Sequence, residues 1–170
     1  MTLNNMIILI GDETPNKVSL LEQLRTDCNL FIPRRVTTNS DFDAYPSIYE
    51  VIGEEDVLKY INDGVVRSMA YQDSHLSFNI SPEIGTSIAK LYNGDIPAIV
   101  LNADTKELGY YLKMYPTATI LGYTETLEDM ELFKKLSLDT ITIEDIINNI
   151  AFTKLLSYIK PNDNTKTKSI

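Results

Sequence analysis

Between Gly11 and Ser19 the chain reads G-D-E-T-P-N-K-V-S, directly after the apolar run Met6 to Ile10. A glycine after a strand, with a lysine shortly beyond it at the mouth of a helix, outlines a phosphate-binding loop. In such a loop successive backbone N–H groups surround the anion and the lysine adds a point charge. Against the pattern G-x-x-x-x-G-K-[ST], Gly11 and Lys17 stand at the right spacing. Asn16 fills the second glycine position, and Val18 replaces the hydroxyl that would hold Mg²⁺. Ser19 offers a hydroxyl one residue later, but a helix turns about 100° per residue, so that hydroxyl faces elsewhere. Asp12 and Glu13 add carboxylates to a loop built to attract anions. The chemistry in question is nucleotide binding, either working or vestigial.

Other residues carry charge or reactivity, each with a plainer alternative. Lys17 either binds phosphate or is a solvated lysine in the first helical turn. Arg34 and Arg35 either replace missing phosphate ligands or guard a strand edge against aggregation. Asp104 either positions a metal or nucleotide or caps a helix that opens at Thr105. His75, the only histidine, falls in a predicted hairpin, where a structural or exposed role is expected. No G-x-S-x-G elbow accompanies it, and the lone Cys28 excludes both an internal disulfide and a cysteine cluster for zinc. The 24 acidic against 15 basic residues, a formal charge of −9, argue against extended contact with nucleic acid or an anionic membrane. With no signal-like or membrane-length apolar run, a cytoplasmic protein is the default expectation.

At 170 residues the chain suits one domain with a substantial core. Strands are expected at Met6 to Ile10, Leu30 to Thr38, Ile48 to Ile52, Ala98 to Leu101, Ala118 to Gly122 and Thr140 to Ile143. Helices are expected from Lys17 to Asp27, Glu54 to Asp63, Ser81 to about Leu91, Thr105 to Tyr115, from Leu127 onward, and Glu144 to Lys160. Ser81 and Thr126 are the expected N-caps of two of them. Val65 to Tyr71 and His75 to Ile80 flank the turn Gln72-Asp73-Ser74, a hairpin pattern. The outer parts, 1–33 and 81–160, alternate strand and helix and predict an α/β fold with a mainly parallel, five-stranded sheet flanked by helices. Residues 34–80 predict a small inserted antiparallel β lobe, and 161–170 a disordered tail.

This order of elements resembles guanylate kinase and its relatives, over about residues 6 to 160. Ile7 to Leu21 is similar to the family's first strand, phosphate loop and helix start. Arg35 to Thr38 (R-V-T-T) resembles the lead into its T-T-R motif, and Asp63 to Ser81 the stretch ending Y-G-T-S. Asn93 to Asp104 resembles the strand ending L-D-I-D. Tyr115-Pro116 ahead of a strand, and the terminal strand and helix, follow in register. The resemblance implies a P-loop-kinase-like fold, ATP and Mg²⁺ as cofactors of any active member, and a monophosphate site in the lobe. It also exposes departures. Asn39 and Phe42 stand at the two arginines that grip the monophosphate, Met69 at a base-reading glutamate, Phe78 and Asn79 at the tyrosine and glycine of Y-G-T-S, and Asn102 at the first L-D-I-D aspartate. Only the second of those aspartates persists, as Asp104. The arginine-rich lid is missing or much shortened, since only Leu127 to Asp139 fills its interval.

The expected reading is therefore a guanylate-kinase-like domain with eroded catalytic machinery that serves as a protein- or ligand-binding module. No catalytic residue, metal or bound cofactor is expected of it. Its candidate nucleotide contacts are Gly11, Asn16, Lys17 and Ser19. Its candidate substrate or partner lobe holds Arg35, Thr37, Tyr45, Tyr49, Phe78, Ser81, Asn102 and Asp104. The alternatives are a divergent nucleoside monophosphate kinase using ATP and Mg²⁺, with arginines recruited from Arg25, Arg34, Arg35 or Arg67, and a nucleotide-binding regulator without turnover.

Overall fold

The structure is a computed structural model, and it describes residues 5–160. The predicted tail at 161–170 lies outside the described residues. β1 (Met6–Ile10) is apolar at every position and fully buried, because it runs between two parallel neighbours under helices on both faces. The parallel sheet has the order β6-β1-β7-β8, with β6 Ile99–Ala103, β7 Thr119–Thr124 and β8 Thr140–Thr142. Alternation along β1 divides the core. Ile7 and Leu9 pack with Val18, Leu21 and Leu155 on one face, while Met6, Ile8 and Ile10 pack with Ile84, Tyr111 and Phe133 on the other.

The expected fifth strand is reduced to one residue. Phe31 bridges to the outer edge of β6, accepting from Val100 N at 3.0 Å. Pro33 then offers no N–H to continue the ladder, and the chain leaves for a second sheet. That sheet has the order β3-β2-β5-β4, with β2 Arg35–Thr37, β3 Tyr49–Val51, β4 Val66–Gln72 and β5 His75–Ile80. Its β2–β5 and β4–β5 pairs are antiparallel, but β2 and β3 run parallel, because the chain crosses between them through a 3-10 turn at Ser40–Ala44. The β4–β5 loop is two residues, Asp73 and Ser74, with φ of 49° and 67°, the positive pair that a tight hairpin turn requires.

The helices are α1 Pro15–Cys28, α2 Glu54–Asn62, α3 Ser81–Tyr92, α4 Leu108–Met114, α5 Leu127–Lys135, α6 Ile143–Ile147 and α7 Ala151–Leu156. Two expectations are corrected. Ser81 is the first residue of α3 rather than its cap, with Ile80 in the cap position and Pro82 in the first turn. The single terminal helix is broken in two. Asn149, at φ 58°, closes α6 through Asn149 N to Ile146 O and Ile150 N to Asp145 O, a left-handed C-terminal cap that asparagine tolerates. Between β7 and β8 only α5 intervenes, so no lid rises over the sheet. Among the described residues no helix is long and apolar enough to cross a membrane.

Candidate functional site

The loop after β1 is short. Gly11 lies against β7 so closely that a Cβ there would sit 2.2 Å from the Tyr123 carbonyl oxygen. Its glycine is therefore demanded by packing, independently of any ligand. Gly11→Ala should cost about 1–3 kcal/mol of stability, read by urea denaturation, because the backbone of β7 has to move. A variant as stable as the parent would show that the loop is loosely held.

Thr14 is the N-cap of α1. Its Oγ1 accepts from Lys17 N at 3.3 Å, and its carbonyl accepts from Val18 N at 3.1 Å. These are donors that an anion at the helix start would use. Asn16, at the second glycine position of the loop pattern, lies inside the first turn of α1, and its Nδ2 donates to Glu125 Oε1 at 3.0 Å. Ser19 is exposed on the outer side of α1, where it and Asn16 border a pocket of about 390 Å³ between α1 and the α6–α7 segment. The structure therefore does not bring Ser19 or Asn16 together with Lys17.

Lys17 is neither solvated nor free for phosphate. It is wholly buried, and its Nζ donates to Gly11 O at 3.0 Å and Ala103 O at 2.7 Å. Burial lowers its pKa to about 8, against the pull of Glu13, which favours the charged form. The sign of the consequence is definite. Between pH 8 and the ordinary lysine value near 10.5 the unfolded chain binds more protons than the fold, so Lys17 adds stability as pH rises through that window. Buried Tyr49, Tyr111 and Tyr123 have raised pKa values, chiefly from burial, and oppose the gain once unfolded tyrosine ionises near pH 10. The unfolding free energy from denaturant titration should rise on the order of 1–2 kcal/mol from pH 8 to 10 relative to Lys17→Met, which lacks the titration. Parallel pH profiles for the two proteins would contradict the burial of the amine.

Arg35, at the start of β2, is also wholly buried, and so is neither a strand-edge guard nor a ligand in waiting. Its Nε donates to Glu13 Oε1 at 2.8 Å, its Nη2 to Ser77 Oγ at 2.9 Å, and its guanidinium pairs with Glu107. Nη1 adds a long contact to the Asn102 carbonyl at 3.4 Å. Glu13 in turn accepts from Tyr49 Oη at 2.8 Å and Ser77 Oγ at 2.6 Å. Burial pushes the Glu13 carboxyl up, but Arg35, Ser77 and Lys17 outweigh it and hold the pKa below the usual value. Both carboxylates also hold the Arg35 guanidinium firmly charged.

Asn102 Nδ2 donates to Tyr49 Oη at 3.0 Å, and Asn79 Nδ2 to the Asn102 carbonyl at 2.9 Å and Tyr111 Oη at 2.7 Å. Asp104 caps the 3-10 turn Thr105–Glu107, accepting from Lys106 N at 2.9 Å, while Glu107 accepts from Asp104 N at 3.1 Å. The buried atoms left unpaired around this network are Asn79 Oδ1, Asn102 Oδ1 and Asp104 Oδ2. All are acceptors, which repel a phosphate oxygen instead of holding it.

The remaining expected lobe residues lie nearby. Thr37 Oγ1 donates to Leu76 O at 3.2 Å. Tyr49 and Phe78 are buried in two different core clusters rather than on an exposed aromatic surface, and Tyr45 is half-buried against the cluster that holds Tyr49. The Ser81 amide is spent on Val65 O at 2.8 Å. Where Glu13, Thr37, Asn39 and Ser77 meet, the free volume is about 40 Å³. That is room for a water or two, against several hundred Å³ for a typical small-molecule pocket.

No family model matches the sequence, and no curated protein matches it. Among solved structures, the crystal structure of guanylate kinase from Anaplasma phagocytophilum matches with a TM-score of 0.60 at 14% identity, over 90% of this chain and 87% of that one. The fold is guanylate-kinase-like. On it, the positions at which the sequence departs from the family do structural work. Asn39 caps the 3-10 turn by accepting from Asp41 N at 3.0 Å, and Phe42 stacks on Tyr49 with ring centres 4.4 Å apart. Met69 is half-buried and packs against the core cluster of Val36, Val57 and Phe78. Of the other arginines considered as substitutes, Arg34 pairs with Glu50 at 3.6 Å and Arg67 donates to the carbonyls of Gly64 and Val66, while Arg25 is exposed in the last turn of α1. A guanylate-kinase-like fold would use ATP and Mg²⁺ if active, but the residues here do not fit a polyphosphate. The lysine, the arginine and the helix-start donors are paired internally, and among the described residues no group of three or more His, Cys, Asp or Glu could hold a metal.

Ser77, Glu107 and Tyr111 were absent from the sequence reading. Asp104-x-x-Glu107 carries a capping-box signal that could have drawn Glu107 into view. Nothing local marks Ser77 or Tyr111, which join the network only through the pairing of β5 and the placement of α4.

Proposed function

We propose that this chain is a guanylate-kinase-like fold whose phosphate cleft has become an internal ion network, and that it acts as a non-catalytic binding module. One observation carries the reading: Lys17 and Arg35, the cations at the cleft, are both wholly buried and paired within the chain. Glu13 takes the part of the anion. Its carboxylate accepts from a guanidinium, a serine and a phenol, a donor set suited to phosphate. A nucleotide would have to displace a carboxylate held at high effective concentration by the chain itself, and would then leave that charge stranded.

Isothermal titration with GMP, dGMP, ATP and ADP tests the reading. No saturable heat is expected below about 1 mM, a binding free energy weaker than about 4 kcal/mol. Micromolar affinity for a monophosphate without turnover would replace it with a nucleotide-binding regulator. Micromolar affinity for ATP would favour a divergent kinase.

A further inference from the structure

On the second sheet, away from the ion network, α2 and the β4–β5 hairpin leave apolar side chains in solvent. Leu58 is 62% exposed, Ile61 48% and Tyr71 56%. Leu58 and Ile61 lie nearly one turn apart on α2, on the flank beside the one that buries Val57. Together with Val57, Tyr71 and Leu76 they line a groove of about 420 Å³, edged by Glu54 and Ser74. This groove shares only Leu76 with the 40 Å³ cleft, so the two are separate features. A contiguous apolar groove with a tyrosine at its edge is the composition of an interaction surface rather than of a solvated face.

Its electrostatics narrow the occupant. Glu54 is the charged side chain on its lining, Glu55 and Asp73 adjoin lining positions in sequence, and Asp56, Lys59 and Asp63 line a pocket on the other flank of α2. Arg67 is folded back on the carbonyls of Gly64 and Val66, and Lys106, brought in from the turn after β6, donates to the Tyr71 carbonyl and so pins the hairpin. The acidic excess disfavours a nucleic acid, an anionic membrane or a phosphate. It also disfavours a second copy, which would bring like charge against like. We propose that this groove docks a basic amphipathic segment of a partner protein. Apolar side chains one turn apart would enter between Leu58, Ile61 and Tyr71, and flanking Lys or Arg would meet Glu54 and its acidic neighbours. The proposal rests on the binding-module reading and names the partner's chemistry.

The test uses the full chain and two fluorescein-labelled amphipathic peptides of roughly 12 residues, about three helical turns. One carries leucines a turn apart with flanking lysines, and its twin has glutamates in place of the lysines. The lysine peptide should bind at least about tenfold more tightly, with the advantage shrinking as salt rises. Leu58→Ala and Tyr71→Ala should each weaken it by about tenfold or more. Both should leave thermal melting essentially unchanged, because the side chains are already in solvent. Ser19→Ala, on the far pocket, should change nothing. Equal binding of the two peptides, failure of the lysine peptide to bind, or binding indifferent to Leu58 and Tyr71 would each overturn the proposal. Concentration-dependent dimerisation in sedimentation, lost with Leu58→Ala, would overturn it in favour of a second copy. Nucleotide titration reads the cleft independently, so a GMP signal would remove the binding-module reading without touching the peptide result.

Discussion

Mixed with ATP and GMP, dGMP, AMP, UMP or ribose bisphosphate, the protein should release no ADP above background even at high enzyme concentration. Phosphoryl transfer is almost entirely positioning and charge stabilisation, and the loss of an arginine contact to the transferring group alone is worth about 10³ to 10⁵ in rate. Here the deficits are several and belong to one unit, so they do not simply multiply. Val18 is wholly buried where a metal-binding hydroxyl would stand, Asn39 caps a turn, and no lid lies between β7 and β8. Lys17 would first have to leave two backbone carbonyls and emerge from complete burial. Turnover near about one per second, in the ordinary range for enzymes, that vanishes with Lys17→Ala would overturn the proposed function and establish a kinase. Turnover indifferent to Lys17 would identify a contaminant. Restoring Val18→Ser alone should not create activity, because the hydroxyl would enter a site whose donors are already spent.

Arg35→Met should destabilise the fold by about 3–5 kcal/mol, the usual consequence of removing one partner from a buried ion pair. For a chain of this size that is on the order of 10 °C in melting temperature. The cause is specific. Glu13 and Glu107, whose side chains are 6% and 0% exposed, would face each other without the guanidinium between them, and Ser77 would lose a donor. Adding Glu107→Gln to Arg35→Met should recover part of the loss, because one stranded charge is then gone. The double variant should therefore be more stable than the sum of the single effects.

The pH dependence follows from the same arrangement. In the parent, the lowered pKa of Glu13 contributes stability that is fully present above the unfolded glutamate value and lost as pH falls through the folded one. In Arg35→Met the Glu13 carboxylate, no longer beside the guanidinium, should protonate more readily, so the gap between parent and variant should narrow below about pH 5. A loss under about 1 kcal/mol at pH 7, or a gap that widens in acid, would show that the network is not held by this charge balance.

Local pattern was enough to read the strands, the hairpin and most helices, because each of those signals is confined to a few consecutive residues. The continuous apolar run at Met6 to Ile10 and the two-residue turn at Asp73 and Ser74 are examples, and so is the Thr126 cap, which accepts from Asp129 N at 3.2 Å. The same reading overextended the terminal helix, because the left-handed residue at Asn149 is chosen by hydrogen bonds that periodicity does not record. It also gave Leu30 to Thr38 to one strand, although Pro33 divides that run between two sheets.

The sequence by itself determined that a phosphate-loop outline was present with Asn16 and Val18 in the wrong places, and that Asp12 and Glu13 put negative charge beside it. What became of Lys17 and Arg35 was decided only by the tertiary structure. Glu13 follows β1, Arg35 opens β2, Ser77 lies in β5 and Glu107 precedes α4, so the bonded pairs among them are separated by 22 to 72 positions along the chain. No local pattern can pair them. A lysine or arginine looks the same in sequence whether it awaits a phosphate or already holds a carboxylate. The difference is which acceptors the folded backbone brings within about 3 Å of it, and whether water is shut out when they meet.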